Sequence, residues 1–210
     1  MPEIKICGIT RPEETDYLNE AGVEYAGFVF YEKSRRNVTL AKAKELMRRL
    51  DDGIQKVAVT VAPDKEQIRE LVEAGFDILQ VHGTIMENEL TACKIPIWRA
   101  VNISGIKEAA EQLAKEQALD DLYIGYVADG MTYGGGKTFS WKEAESDGAS
   151  LQKMRQKTFI LAGGLQIENV AEGIQIFHPN VVDVSSGVEG ADGKSKEKIE
   201  TFVREVRKHE

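Results

Sequence analysis

Cysteine, histidine and proline are all scarce in this chain. Its 210 residues include two cysteines, Cys7 and Cys93, which excludes a disulfide framework and leaves no ligand pairs for a structural zinc site. A reducing compartment suits such a chain, and the expected location is cytoplasmic. No run approaches the roughly 18 apolar residues of a membrane span, and Met1-Pro2-Glu3-Ile4-Lys5 carries no apolar signal core. No membrane partner is therefore expected. Basic residues are outnumbered, 27 Lys and Arg against 35 Asp and Glu, for a net charge of −8. A surface of that sign repels nucleic acid and anionic lipid, so an anionic small molecule could bind only in a locally positive pocket.

What the chain does have is alternation. Short β-rich apolar runs fall at Ile4–Gly8, Tyr25–Phe30, Lys56–Val61, Ile78–His82, Ile97–Val101, Tyr123–Ala128, Thr158–Ala162 and Val181–Ser185. Helical patterns fill the gaps. Thr10 to Glu13 reads as a capping box with Pro12 in the first turn and Gly22 as the stop, Asp64 caps a helix burying Ile68, Leu71 and Val72, and Ser140 to Glu143 reads as another box. Apolar stripes run through Leu40, Ala43, Met47 and Leu50, through Ile106, Ala110 and Leu113, through Ile167, Val170, Ala171 and Ile174, and through Ile199, Phe202, Val203 and Val206. Strict β-α alternation means a parallel sheet. Neither Gly-x-Gly-x-x-Gly nor a Walker loop follows the first strand, which counts against an open nucleotide-binding sheet. The expected architecture is one (β/α)8 TIM barrel domain over residues 1–210.

Such barrels place their chemistry at the C-terminal ends of the strands. That rule selects Cys7, the loop from Phe30 to Arg36, His82, Arg99, Asp129, Gly163-Gly164 and Ser185-Ser186-Gly187. Glycines let backbone N–H groups approach a phosphate and serines add hydroxyl donors, so the loops after strands seven and eight read as a phosphate cradle, against the plainer reading of two tight turns. Cys7 closes strand one, where a thiolate could remove a carbon-bound proton; on its own a lone cysteine is more often a small buried hydrophobe. Asp129 closes strand six, as an acid or as a simple turn residue before Gly130. Arg36 offers a guanidinium fork for a carboxylate, or a solvated charge. His82 is equally a polar liner of the mouth and a satisfied core histidine. Tyr133-Gly134-Gly135-Gly136-Lys137 could line or cover the site. Cys93, Trp98 and Trp141 read as packing residues.

Six segments in order carry a family resemblance: Lys5-Ile6-Cys7-Gly8-Ile9-Thr10; Gly27-Phe28-Val29-Phe30-Tyr31 with Lys33-Ser34-Arg35-Arg36; Leu79-Gln80-Val81-His82-Gly83; Gly134 to Trp141; Leu161-Ala162-Gly163-Gly164-Leu165; and Val182 to Glu189. The sequence resembles the phosphoribosylanthranilate isomerases of tryptophan biosynthesis, from residue 3 to about residue 203. The resemblance implies a (β/α)8 barrel without metal or cofactor that rearranges an aminoaldose to an aminoketose. It implies Cys7 as general base, Asp129 as general acid, and Arg36 as the holder of the anthranilate carboxylate. His82 and Asp183 join Arg36 in the substrate-binding set, and Gly163, Gly164, Ser185, Ser186 and Gly187 form the phosphate cradle. The chain departs from the family pattern at Gly136, Ser140 and Glu32, and at Gly125 and Tyr126, where bulky aliphatics are usual; a shifted register would put Tyr126 in the acid's place. A metal-dependent sugar-phosphate epimerase is disfavoured, because His178 and His209 lie outside the strand ends. A non-catalytic phospholigand sensor is the reading from another class. The expected partner is a small phosphorylated substrate, with the chain a monomer or homodimer.

Overall fold

A computed structural model describes residues 1–90, 93–103, 106–129 and 148–208. Eight strands run in chain order as β1 (Glu3–Cys7), β2 (Tyr25–Phe30), β3 (Gln55–Val61), β4 (Ile78–His82), β5 (Ile97–Asn102), β6 (Tyr123–Asp129), β7 (Thr158–Leu161) and β8 (Val181–Val184). Every neighbour is parallel, and β1 pairs with β8 to close the barrel. The helices between them are α1 (Pro12–Ala21), α2 (Leu40–Met47), α3 (Lys65–Glu73), α4 (Glu87–Leu90), α5 (Ile106–Lys115), α6 (Gly148–Met154), α7 (Val170–Phe177) and α8 (Lys196–Arg207), with 3-10 turns at Gln117–Leu122 and Ser186–Val188. Among the described residues no helix is long and apolar enough to cross a membrane.

Two apolar clusters follow from strand alternation. The larger lies between sheet and helices and takes the outward strand residues, such as Ile4, Ile6, Ala26, Phe28 and Val182, together with Leu18, Leu46, Leu71, Ile174, Ile199, Phe202 and Val206 from the helices. The smaller fills the barrel: Tyr25, Val57, Val59, Ile78, Trp98, Ala100, Val127, Ile160, Ala162 and Val181. Trp98 is paired in register with Gly125, and a Cβ on Gly125 would stand 2.9 Å from the indole, so the glycine makes room for the tryptophan. Cys93 packs against the outer cluster.

Local signals set most boundaries. Asp64 accepts from Gln67 N–H at 2.8 Å, Thr39 caps α2 and Ser195 caps α8 in the same manner. In α1, Pro12 takes the first position and Gly22 ends the helix, but the capping carboxylate is Glu14 and not Glu13: Glu14 Oε2 accepts from the backbone N–H groups of Thr10 and Arg11 at 2.7 and 3.1 Å. Starting at Pro12 makes Glu14 the third helical residue, the position from which a carboxylate reaches back. In α5, Ala109 and Leu113 are buried while Ala110 is exposed. The Ser140–Glu143 box, Trp141 and the Tyr133–Lys137 loop lie outside the described residues.

Candidate active site at the C-terminal mouth

Alternation along β1 turns Lys5 and Cys7 into the barrel while Ile4 and Ile6 face the helices. Lys5 is fully buried and donates to Asp183 Oδ2 at 2.7 Å. The two are register partners across the β1–β8 seam, so they sit side by side on the inner wall. Burial opposes the Lys5 charge, but Asp183 and Cys7 outweigh it and its pKa ends above the usual lysine value. The Cys7 thiol is half-buried, beside Gly27 of β2. Burial holds its pKa above the usual thiol value; Lys5 works against this, Asp183 adds to it and Lys194 opposes it. The base candidate thus sits on a positively charged floor.

The loop after β2 brings Arg36 to the same side. Its Nε and Nη2 donate to Glu189 Oε1 and Oε2 at 2.6 and 3.0 Å, a fork-to-fork pair. Arg35 and Lys194 reach the same carboxylate at 2.5 and 3.0 Å. Burial works to raise the Glu189 pKa, but Arg36 and Lys194 outweigh it and hold it down at about 2. Lys194, buried, also donates to the Ser185 carbonyl and Oγ at 3.0 and 3.1 Å, and Ser185 Oγ donates to the Cys7 carbonyl at 2.8 Å. Gly8, with φ +83°, lets Arg36 lie flat on the end of β1: a Cβ there would collide with Arg36 Cδ. A guanidinium has five donors, so the pair with Glu189 leaves the other edge of the fork for a second anion.

Across the mouth, Asp129 ends β6 and His82 ends β4, with His82 Nδ1 3.8 Å from Asp129 Oδ2. Gln80 Nε2 lies 2.9 Å from His82 Nε2; with the amide donating, the ring proton is on Nδ1, the edge facing Asp129. Burial, then Lys5, then Arg99 lower the His82 pKa to about 3, so the ring is neutral at physiological pH. A cavity of about 540 Å³ opens here, lined by His82, Asn102, Gln112, Glu116 and Asp129 among others. Tyr126 faces the other way. It belongs to the cluster between sheet and helices and hydrogen-bonds Asp120, so of the two residues Asp129 is the one at the mouth. Arg99 also points outward, bound to Glu116 at 2.5 Å and to the Val81 and Gly83 carbonyls, and is a structural residue.

Between these two sides lie the loops after β7 and β8. Gly163 and Gly164 both have φ +80°, and a Cβ on Gly187 would strike the Leu165 carbonyl, so the two loops touch backbone to backbone. The N–H groups of Gly163, Gly164 and Ser186 bond no other described residue. They remain for an anion. Among the described residues no group of three His, Cys, Asp or Glu side chains is placed to hold a metal. The structure also brings in residues that the sequence reading passed over. Lys5 and Gln80 share the inward parity of Cys7 and His82, a legible signal; Glu189 and Lys194 join through loops that no periodicity places.

By fold, and by where its reactive side chains gather, the chain is a (β/α)8-barrel enzyme. The family model for N-(5'phosphoribosyl)anthranilate (PRA) isomerase matches residues 4–205. The N-(5'-phosphoribosyl)anthranilate isomerase of Clostridium acetobutylicum is 39% identical over 212 residues, covering 99% of each chain, and that of Streptococcus mutans is 37% identical, covering 99% of this chain and 100% of its own. The solved phosphoribosyl anthranilate isomerase of Thermotoga maritima superposes with a TM-score of 0.85 at 29% identity, covering 99% of this chain and 100% of its own. Another, in complex with reduced 1-(O-carboxyphenylamino)-1-deoxyribulose 5-phosphate, gives 0.83 at 26% with the same coverage. The chain belongs to the phosphoribosylanthranilate isomerase family.

Proposed function

We propose that this enzyme converts N-(5'-phosphoribosyl)anthranilate to 1-(2-carboxyphenylamino)-1-deoxyribulose 5-phosphate, a step of tryptophan biosynthesis, by acid–base catalysis with its own side chains. The order of groups around the closed barrel carries the reading. Asp129 is on β6, the anion-ready loops follow β7 and β8, Cys7 is on β1, and Arg36 follows β2. A sugar phosphate anchored in the middle lies between an acid and a base, with a guanidinium beyond the base for a carboxylate.

In this scheme Gly163, Gly164, Ser185, Ser186 and Gly187 hold the phosphate, and Arg36 receives the anthranilate carboxylate on its open edge. Asp183 Oδ1 is buried without a partner among the described residues and can accept from a sugar hydroxyl. Asp129 gives its proton to the ribose ring oxygen; the C1′–O bond breaks and the nitrogen lone pair forms the Schiff base. The Cys7 thiolate then takes the C2′ proton, and the electron pair moves toward nitrogen to give an enolamine, which tautomerises to the ketone. His82 lies beside Asp129 as a neutral polar wall.

The test generates the substrate in situ and follows the loss of its fluorescence. Each acid–base group is typically worth about 10²- to 10⁴-fold, so Cys7→Ala and Asp129→Asn should each lose at least a hundredfold in kcat while remaining folded. A rate within tenfold of the unmodified enzyme in either variant removes that residue from its role. No turnover in the unmodified enzyme would overturn the reaction itself.

A further inference from the structure

A buried ammonium in the floor of the barrel is not explained by stability. Removing a lysine and a carboxylate from water costs more than their attraction reliably returns, and an apolar pair of similar volume would pack there. Lys5 and Asp183 are nonetheless enclosed together, joined at 2.7 Å across the seam where β8 meets β1. Two residues further along β1, on the same inner face and nearer the mouth, is Cys7. The carboxylate fixes the ammonium on the inner wall, and strand alternation puts the sulfur next above it on that face.

We propose that Lys5, anchored by Asp183, is a positioning residue for Cys7: its ammonium is the counter-cation that stabilises the thiolate form from below, leaving the upper face of the sulfur to the substrate. The inference rests on Cys7 being the base. Its physical content is a sign. A thiolate gains from a nearby cation and loses from a nearby carboxylate, so the two members of one ion pair act on the same sulfur in opposite directions. The other charged and titratable groups around Cys7 are Lys194 and Glu189 beyond β8, Arg36 beyond β2, and Asp129 and His82 across the mouth; Gly27 of β2 contributes none. Of the cations, Lys5 is the largest influence on the thiol and Lys194 the smaller. Lys194 is already engaged by Glu189 and Ser185.

The experiment titrates Cys7 directly, without substrate. In a Cys93→Ser background, Cys7 is the remaining thiol, and its rate of alkylation by iodoacetamide against pH gives the thiolate midpoint. Lys5→Met should raise that midpoint by about one pH unit or more, the size of effect a close opposite charge produces. Asp183→Asn should lower it. The acidic limb of kcat should move with the midpoint in each variant, with KM changed by less than about threefold in Lys5→Met, and Lys5→Arg should restore the original midpoint. A purely structural pair would disturb both variants alike, so an unmoved midpoint in folded Lys5→Met, or shifts of the same sign in both, overturns the proposal. If single variants do not fold, Lys5→Met with Asp183→Asn removes both charges together. The midpoint should still rise, because Lys5 is the stronger influence, and an unmoved one again overturns the idea. Because alkylation is read without turnover, the Lys5 inference can fail while Cys7→Ala still abolishes activity, and Cys7 can fail as base while the midpoint still moves.

Discussion

Glu189 is the residue whose replacement most directly tests the charge arrangement around the mouth. Its carboxylate meets Arg35, Arg36 and Lys194, and its pKa falls from 4.5 to about 2. That difference corresponds to about 3 kcal/mol. The sign follows from linkage. The folded pKa is depressed, so the contribution is complete above pH 4.5 and is lost as the pH falls toward 2. Glu189→Gln imitates the protonated form. It should lower the unfolding free energy by about 3 kcal/mol at pH 7 and by about 2 kcal/mol at pH 3.5, where the unmodified carboxylate has lost part of its advantage. Urea denaturation of both proteins at the two pH values measures this. The same variant releases one fork of Arg36, so KM should rise more than kcat falls. A loss below 1 kcal/mol at pH 7, or a difference that does not shrink at pH 3.5, would show that the three cations do not stabilise the carboxylate as the geometry indicates.

Further outcomes follow from the close approaches in the site. Gly187→Ala places a Cβ against the Leu165 carbonyl, a backbone atom that cannot step aside, and should spread the phosphate loops; affinity for a reduced product analogue, measured by calorimetry, should fall at least about tenfold, or about 1.4 kcal/mol. Gly8→Ala adds a Cβ at φ +83° and displaces Arg36, so it should cost about 1–2 kcal/mol in backbone strain and raise KM; unchanged kinetics would remove Arg36 from the substrate site. His82 is neutral in the folded protein to about pH 3 but protonates near 6.5 when unfolded. Between those values stability should fall by about 1.4 kcal/mol for each unit of acidification, and His82→Gln should flatten that slope by one proton.

The barrel was legible because its signals are local. The expected bounds of β2 and β4 match the structure residue for residue: Glu24 and Asp77 precede the two runs, and Gly83 follows the second. The rule placing chemistry at strand ends selected Cys7, His82 and Asp129, and the structure has all three at the ends of their strands. The rule did not find Glu189 or Lys194, because their meeting with Arg36 spans more than 150 positions and depends on barrel closure. Lys5 was available to the same alternation that selected Cys7, but a lysine early in a strand reads as an edge charge until the partner across the seam is known. Glu14 was missed by one position because the helix begins at Pro12. The Ala109 stripe differs from the expected one because a small residue leaves little apolar signal to fix the phase of a helix.

The charges divide the mouth into two halves with different chemistry. On the side of β8, β1 and β2, Lys5, Lys194, Arg35 and Arg36 exceed the carboxylates of Asp183 and Glu189 that pair with them. That half carries an excess of positive charge suited to a phosphate or a carboxylate, and it offsets part of the burial that holds the Cys7 pKa up. On the side of β4 and β6, the imidazole facing Asp129 is kept neutral, in part by Lys5 from the other half. A protonated His82 beside Asp129 would favour its ionised form, and a neutral one does not. One lysine thus bears on both groups, working against the burial that raises the Cys7 pKa and adding to the burial that lowers that of His82. An acid and a base can share one small mouth at one pH when their surroundings differ in this way, and here the difference is set by how eight strands close.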